Sequence, residues 1–390
     1  MTINDIFAKY KDEADSCYNP EFFSKERVRR LAVRARLEEA NIDMLMDFLS
    51  NADEETFMFM WQLYYFQYCS SEDFRSNIVL MEHIARPHHS EAKFPGCINA
   101  VVYLMAVENL EKWLDGKDLD SNVVLESYFD RYRYMTRLNL ITHNTYAFCR
   151  LSYFLYGYSK PASLRVGRLN FQYIEYKDYC EMYEDKLGNR IFAALPNFTY
   201  NQKGLQEKDG FVPYYVKDDK HLTAHVFKDK GRLNTEATTM ELNRLKPLLK
   251  PGDKVVTIHI PEDGKLLIED VKRSIKDAWD LFSRYFPPFK AIVCQTWFID
   301  PGLRGEVIKD GSNMAAFADL FDIISGTDND NHSIYEHIFK VKRQPLENLV
   351  PQNDFQRRIL ERAVRGEKIY WGYGVLKKSI VEELELANHI

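Results

Sequence analysis

Two side chains in this 390-residue chain stand where their chemistry could be used. His259 closes the apolar run VVTIHI, and Cys294 sits inside the run AIVCQTWFI. An imidazole titrates near neutrality, so His259 is a candidate base for an attacking amine. Cys294 lies on a neighbouring strand by this reading. A thiol beside His259 would be a nucleophile able to form a covalent acyl-enzyme. Each has a plainer role open to it. His259 can hydrogen-bond the loop that follows, and Cys294 can be a small buried hydrophobe.

Other residues qualify more weakly. Trp297 can wall a substrate slot or fill a core, with Asp300 holding the turn at Pro301. Ser312-Asn313 has the chemistry of a helix N-cap, and also of an anion site at the same helix end. His83, Arg86, Pro87, His88 and His89 form a histidine-rich stretch. No acid or thiol stands at a helical interval from it, so a polar loop is the better reading and no metal site is expected. The Asp328-Asn329-Asp330-Asn331 run lacks the glycine and the final acid of a calcium loop. No nucleophile elbow, P-loop or dinucleotide fingerprint occurs.

The elements that must position these residues follow from periodicity. The run 255–260 reads as a buried parallel strand. Ile268, Val271, Ile275, Ala278, Trp279 and Phe282 keep one face of the next helix apolar, and Pro287-Pro288 stops it. The second strand is 291–299, and a helix over 313–321 follows Ser312. Segments 323–325 and 334–341 read as a closing strand pair, 353–364 as a helix and 369–375 as a last strand. Upstream, RVGRLNFQYIEY alternates like a half-buried strand. A strand is expected at 190–197, β-structure over 209–227, and a helix over 235–249 ended by Pro251-Gly252. Residues 1–158 read as helix after helix, with stripes such as Met58, Trp61, Tyr65 and Cys69.

Composition limits the function classes. Net charge is -6 and no basic stripe is present, so nucleic acid is not an expected partner. The 6 cysteines form no Cys-x-x-Cys pair, which suits reduced thiols in a cytoplasmic protein. The first residues, MTINDIFAKYKDEAD, contain no apolar signal region, and no apolar run is long enough for a membrane partner.

Three segments carry a family resemblance: HIPEDGKL from His259, Cys294-x-x-Trp297-x-x-Asp300-Pro301, and Ser312-Asn313-x-x-x-Phe317. With the opening RVGRLNFQ, they resemble acyltransferase-domain proteins of gut and soil bacteria. These pair a helical N-terminal domain with a GNAT-like C-terminal domain. The resemblance implies acyl-coenzyme A as donor substrate. It aligns 255–260 with the fourth strand of the GNAT fold, whose backbone holds pantetheine, and 291–299 with the fifth. The loop between strand and helix would hold the pyrophosphate. Ile260, Pro261, Gly264 and Lys265, with Ser312 and Asn313, are the implied cofactor-binding residues. The sequence departs from the family pattern in that loop, which has one glycine and two acids, Glu262 and Asp263. Leu320 stands where a tyrosine acid is usual.

The expected architecture is α+β, with an all-α helical domain over 1–158 and a GNAT-like mixed α/β domain over 160–390. The expected activity is acyl transfer to an unidentified amine, with His259 and Cys294 as catalytic candidates and Trp297 in the substrate pocket. The alternative is a catalytically degenerate GNAT-like protein that binds a ligand or a partner.

Overall fold

The computed structural model describes residues 3–69, 94, 96–143, 163–176, 179–228, 231–262, 264–328 and 330–386. The histidine-rich stretch at 83–89, Cys149, the proposed boundary at Lys160-Pro161, and Asp263 lie outside the described residues. The chain divides into two compact units, Met1–Arg165 and Val166–Ile390.

The first unit is helical. Its helices are α1 (Ile3–Ser16), α2 (Lys25–Arg34), α3 (Glu39–Asn51), α4 (Glu54–Tyr64), α5 (Cys97–Met105), α6 (Val107–Leu114) and α7 (Ser121–His143). Local chemistry sets their ends. Asp53 accepts from the Thr56 amide at 2.8 Å, satisfying one of the unpaired donors at the start of α4. Aromatic rings then fasten the helices. Phe22 meets Tyr64 at 4.5 Å and Trp61 at 5.0 Å between centroids. The Trp61 indole donates to the Ala14 carbonyl at 2.8 Å, so its one polar atom is satisfied inside the core.

The second unit is built on sheets. The strands of the chain are β1 (Ser163–Val166), within which the boundary between the units falls, and then β2 (Leu169–Glu175), β3 (Cys180–Asp185), β4 (Arg190–Ala194), β5 (Tyr215–Lys217), β6 (His221–Ala224), β7 (Val226–Lys228), β8 (Arg232–Leu233), β9 (Thr238–Glu241), β10 (Leu245–Leu249), β11 (Lys254–His259), β12 (Ile292–Thr296), β13 (Phe321–Asp328) and β14 (Tyr370–Leu376). One sheet runs β1-β2-β11-β12-β14-β13, a second β10-β3-β4-β7-β8, and a third β5-β6-β9. In the first sheet β11 and β12 are parallel, joined through helix α8 (Ile268–Tyr285). Further helices are α9 (Asn313–Ala318), α10 (Asp354–Val364) and α11 (Lys378–Glu383).

Helix α8 buries Val271, Ile275, Ala278, Trp279 and Phe282. Burying the larger of these contributes about 1.5–3 kcal/mol each. The opposite face of the sheet meets the second sheet. There Val255, Val293, Tyr373 and Val375 pack with Tyr176, Tyr179, Met182 and Phe192.

Two expected elements run short, the strand over 190–197 ending at Ala194 and the helix over 313–321 at Ala318 with Phe321 opening β13, and three further expectations fail. Segment 235–249 is not a helix but β9, a short 3-10 turn (Leu242–Arg244) and β10. Thr238 and Thr239 are β-branched, and the Thr223 and Thr239 hydroxyls bond across strands at 3.0 Å. Pro247 sits on β10, an edge strand whose register shifts between Pro247 and Leu249, where a missing N–H is tolerated. Segment 334–341 is not a strand but a π-helical turn, Ile334–Phe339. Ile334 and Ile338, four apart, enter one core, and His332 meets Glu336 at 2.7 Å in the same spacing. The third expectation overran: the strand expected over 291–299 stops at Thr296. Trp297–Ile299 form a 3-10 turn held by the Thr296 hydroxyl, which accepts from Phe298.

Candidate functional site

Register decides which side chains share a face, because successive residues alternate and paired residues align. Ile258 pairs with Cys294, and His259 pairs with Asn170. Cys294 therefore lies on the Ile258 face, toward α8, and His259 leaves the other face. The structure does not bring the two candidates together. Cys294 is fully buried, and burial pushes its thiol well above the ordinary range, which opposes thiolate formation. It occupies the plain role of a small buried hydrophobe.

The His259 face carries a polar group of residues instead. His259 Nε2 lies 3.1 Å from Gln172 Oε1. A carbonyl oxygen only accepts, so Nε2 is the donor in this contact. Gln295 Nε2 donates to the Tyr179 hydroxyl at 3.1 Å, and that hydroxyl stands 3.4 Å from Thr327 Oγ1. Asn170 and Thr257 are buried on the same face. Gln172, Gln295, Tyr179, Asn170 and Thr257 were not singled out from the sequence. Their signal is present in it, since three strands each turn from apolar to polar toward one end. Val255-Thr257-His259, Val293-Gln295 and Ile174-Gln172-Asn170 all do so on this face.

The pairing of β11 with β12 ends at Ile258 and Cys294. Strand β12 continues to Thr296, held on its other edge by Tyr373 and Gly372 of β14. Registered pairing of the two parallel strands thus stops short of their carboxyl ends, and His259 and Gln295 are the next residues on each. Beyond the last pair of parallel strands, peptide groups can serve a ligand that carries its own amides.

Ile260 and Pro261 lead from β11 into the loop. Arg168 donates there to the carbonyls of Pro261 at 3.0 Å, Gly264 at 3.1 Å and Lys265 at 2.9 Å. Glu262 is paired with Lys340 at 2.7 Å, so one of the loop's two acids is offset by a cation. Leu267, at the N-cap of α8, has no side-chain capping bond. Glu269 and Asp270 in the first turn favour the helix but oppose an anion, and Asp270 is engaged by Arg273.

The remaining candidates are placed differently. Ser312 accepts from the Ala315 amide at 3.2 Å, a capping role, and Asn313 next to it is exposed. Trp297, expected in the substrate pocket, is 8% exposed within a core that includes Leu303, Ile334 and Ile359. Its ring meets Phe298 at 4.2 Å and Phe355 at 5.8 Å. Asp300 accepts from the Gly302 amide and the Tyr370 amide, each at 2.8 Å, and so ties the turn after β12 to the start of β14. Burial raises its carboxyl to about 6, against the lowering effects of the two amides and of Arg362. Leu320 is buried. Among the described residues, no group of histidine, cysteine and carboxylate side chains could hold a metal ion, and no helix is long and apolar enough to cross a membrane.

Solved structures share this fold. An acyltransferase mutant solved with octanoyl-CoA superposes with a TM-score of 0.59 at 15% identity, covering 90% of this chain and 88% of that one. An acyltransferase solved with decanoyl-CoA and teicoplanin gives 0.57 at 15% identity, with the same coverage. At such identity the likeness is one of fold. A comparison with curated proteins found no match. The family described as GNAT-like C-terminal domain matches residues 164–376, more than half of the chain, and the chain belongs to that family.

Proposed function

We propose that this protein is an acyltransferase that moves an acyl group from acyl-coenzyme A to an amine by direct transfer. The observation that carries the reading is the end of registered pairing between β11 and β12 at Ile258 and Cys294, with polar His259 and Gln295 next on the two strands. The amides of a pantetheine arm would complete the open strand edges, and the loop from Pro261 to Lys265 would meet the phosphates. The solved acyltransferases of this fold were captured with octanoyl-CoA, with decanoyl-CoA and, in two cases, with teicoplanin or 10C-teicoplanin as well. They support a thioester donor here, while the acyl group and the acceptor amine stay unassigned.

In this reading the amine nitrogen attacks the thioester carbonyl. A carbon–nitrogen bond forms, the carbon–sulfur bond breaks, and coenzyme A leaves as thiolate. The amine proton passes to His259, directly or through water. No covalent enzyme intermediate is needed, which agrees with the burial of Cys294. Most of the rate would come from holding donor and amine together.

The test is binding followed by turnover. At a hundred times its dissociation constant, an acyl-coenzyme A should stabilise the fold by about 2.7 kcal/mol in a thermal melt. No shift with acetyl-, octanoyl- or decanoyl-CoA would overturn the reading. A specific observation favours a second reading: buried Leu320 stands where a tyrosine acid is usual. A protein that binds acyl-coenzyme A yet transfers to no amine in a mixed panel would be a ligand-binding relative.

A further inference from the structure

Gln295 of β12 stands level with His259 of β11, and only part of its amide is used within the protein. Resting on the acyl-coenzyme A reading above, we propose that Gln295 is a catalytic residue. Its side-chain N–H holds the thioester carbonyl oxygen during transfer, and Tyr179 positions it.

Register places the two side chains together. Thr257 pairs with Val293 and Ile258 with Cys294, so His259 and Gln295 are the next residues on parallel neighbours and leave the same face of the sheet. Neighbouring strands lie about 4.8 Å apart. A base and an oxyanion donor act on two substituents of one carbon, the attacking nitrogen and the carbonyl oxygen. They must therefore stand close together, and adjacent strands supply that separation.

The Gln295 side chain is partly buried and is held from one side. Its Nε2 donates to the Tyr179 hydroxyl at 3.1 Å, and that hydroxyl stands 3.4 Å from Thr327 Oγ1. The Tyr179 ring is itself fixed. Phe198 stacks on it at 5.2 Å, and Tyr373, the registered partner of Gln295 on β14, meets it at 4.6 Å. An amide nitrogen carries two hydrogens in a rigid plane. One is spent on Tyr179, and the second has no protein partner among the described residues.

That second hydrogen suits the reaction. As the amine nitrogen bonds to the thioester carbon, the carbonyl π pair moves onto oxygen. The Gln295 N–H donates a hydrogen bond to the developing charge and keeps its proton. The pair then re-forms the carbonyl, the carbon–sulfur bond breaks, coenzyme A leaves as thiolate, and the amine proton goes to His259. A donor fixed in advance is worth more at the oxyanion than at the resting carbonyl, so it speeds transfer more than it tightens binding.

The experiment uses octanoyl-CoA with wild type, Gln295→Leu, Gln295→Glu and Tyr179→Phe. Donor affinity, kcat and the infrared stretch of a carbon-13-labelled thioester carbonyl are measured in each. Gln295→Leu and Gln295→Glu should each lower kcat by about 10², since a carboxylate keeps the shape of the amide but offers no N–H. Tyr179→Phe, which only releases the amide, should cost about tenfold. In Gln295→Leu donor affinity should hold within about twofold, and the bound carbonyl should stretch at a higher frequency than in wild type. Unchanged kcat in Gln295→Leu overturns the proposal. A carbonyl stretch identical to that of wild type overturns it too, because the side chain then serves packing or donor binding alone. If Gln295→Leu does not fold, Gln295→Glu decides by the same two readings. Wild type that binds no octanoyl-CoA is a different result, and it counts against the acyltransferase reading itself.

Discussion

Ile258 and Cys294 stand opposite each other as the last registered pair between β11 and β12. That pair marks where the registered pairing stops. It also divides the two residues most suggestive of chemistry, sending the Cys294 thiol toward α8 and the His259 imidazole to the other face. A one-residue change of register would have put them together, since the side-chain period of a strand is two.

Cys294→Ala is therefore expected to leave turnover within about twofold of wild type, because the thiol lies on the face away from His259. The cost should appear in stability instead, on the order of 1 kcal/mol for a small buried group replaced by a slightly smaller one. Turnover and chemical denaturation of the same preparation check this. Loss of activity at unchanged stability would restore the covalent mechanism.

Asp300 gives a pH-dependent prediction. Its carboxyl is raised from 3.8 to about 6 in the folded protein, chiefly by burial. Between those values the native state holds a proton that the unfolded chain has released, so the contribution of Asp300 to stability falls as pH rises. It is fully present below pH 3.8 and is lost as pH passes through about 6. The total change is about 3 kcal/mol. Asp300→Asn removes the titration while setting an amide N–H against one of the two backbone donors, at a cost of about 1–3 kcal/mol. Denaturant titrations of both proteins from pH 4 to pH 7 should show the wild-type advantage shrinking with rising pH. A constant difference would refute the assignment.

Much of the sheet that holds the site is legible in the sequence. The apolar run at 255–260, the stripe of α8 and the run at 291–299 name β11, α8 and β12 in order. Of the polar residues gathered on the His259 face, only His259 stands out in the sequence as a candidate. His259 could be read because an imidazole at a strand end is conspicuous. Gln172, Gln295 and Tyr179 could not, because glutamine and tyrosine are unremarkable until register puts them on one face. The segments that failed are those where side-chain spacing fits two structures. Segment 235–249 has enough apolar residues for a helix, but Thr238, Thr239 and Pro247 suit an edge-strand pair better. Segment 334–341 was read as a strand because it is short and apolar, whereas Ile334 and Ile338 repeat at four and meet one core. Arg168 was invisible as a loop-holding residue, since its partners lie about a hundred positions away.

Gly372 on β14 lies beneath the turn that ends β12. A Cβ there would fall 2.4 Å from the Ile299 carbonyl oxygen and 2.6 Å from its carbon. Both are backbone atoms and cannot rotate aside, so Gly372→Ala must push the Trp297–Ile299 turn off the sheet. Overpacking of this kind costs about 1–3 kcal/mol. The turn follows Thr296 directly, so the displacement also shifts the carboxyl end of β12. Denaturant melts should show the loss of stability, and donor affinity should fall with it. Unchanged stability would mean that β14 and the turn are not in this contact.

His259→Gln tests the base. Glutamine keeps a polar side chain at the strand end but cannot accept a proton at neutral pH. The kcat for transfer is expected to fall by about 10²–10⁴, the usual contribution of a positioned general base. Acyl-coenzyme A affinity should hold, because the imidazole is assigned to the acceptor's proton and not to the donor's phosphates. Gln172→Leu addresses the same residue from behind. It removes the acceptor at 3.1 Å from His259 Nε2, so turnover should drop by about tenfold while donor binding is again preserved. Combined with His259→Gln, Gln172→Leu should cost nothing further, since its effect runs through an imidazole that is no longer there. Additive losses in that double variant would show that Gln172 acts on the substrate independently, and would take the positioning role away from it.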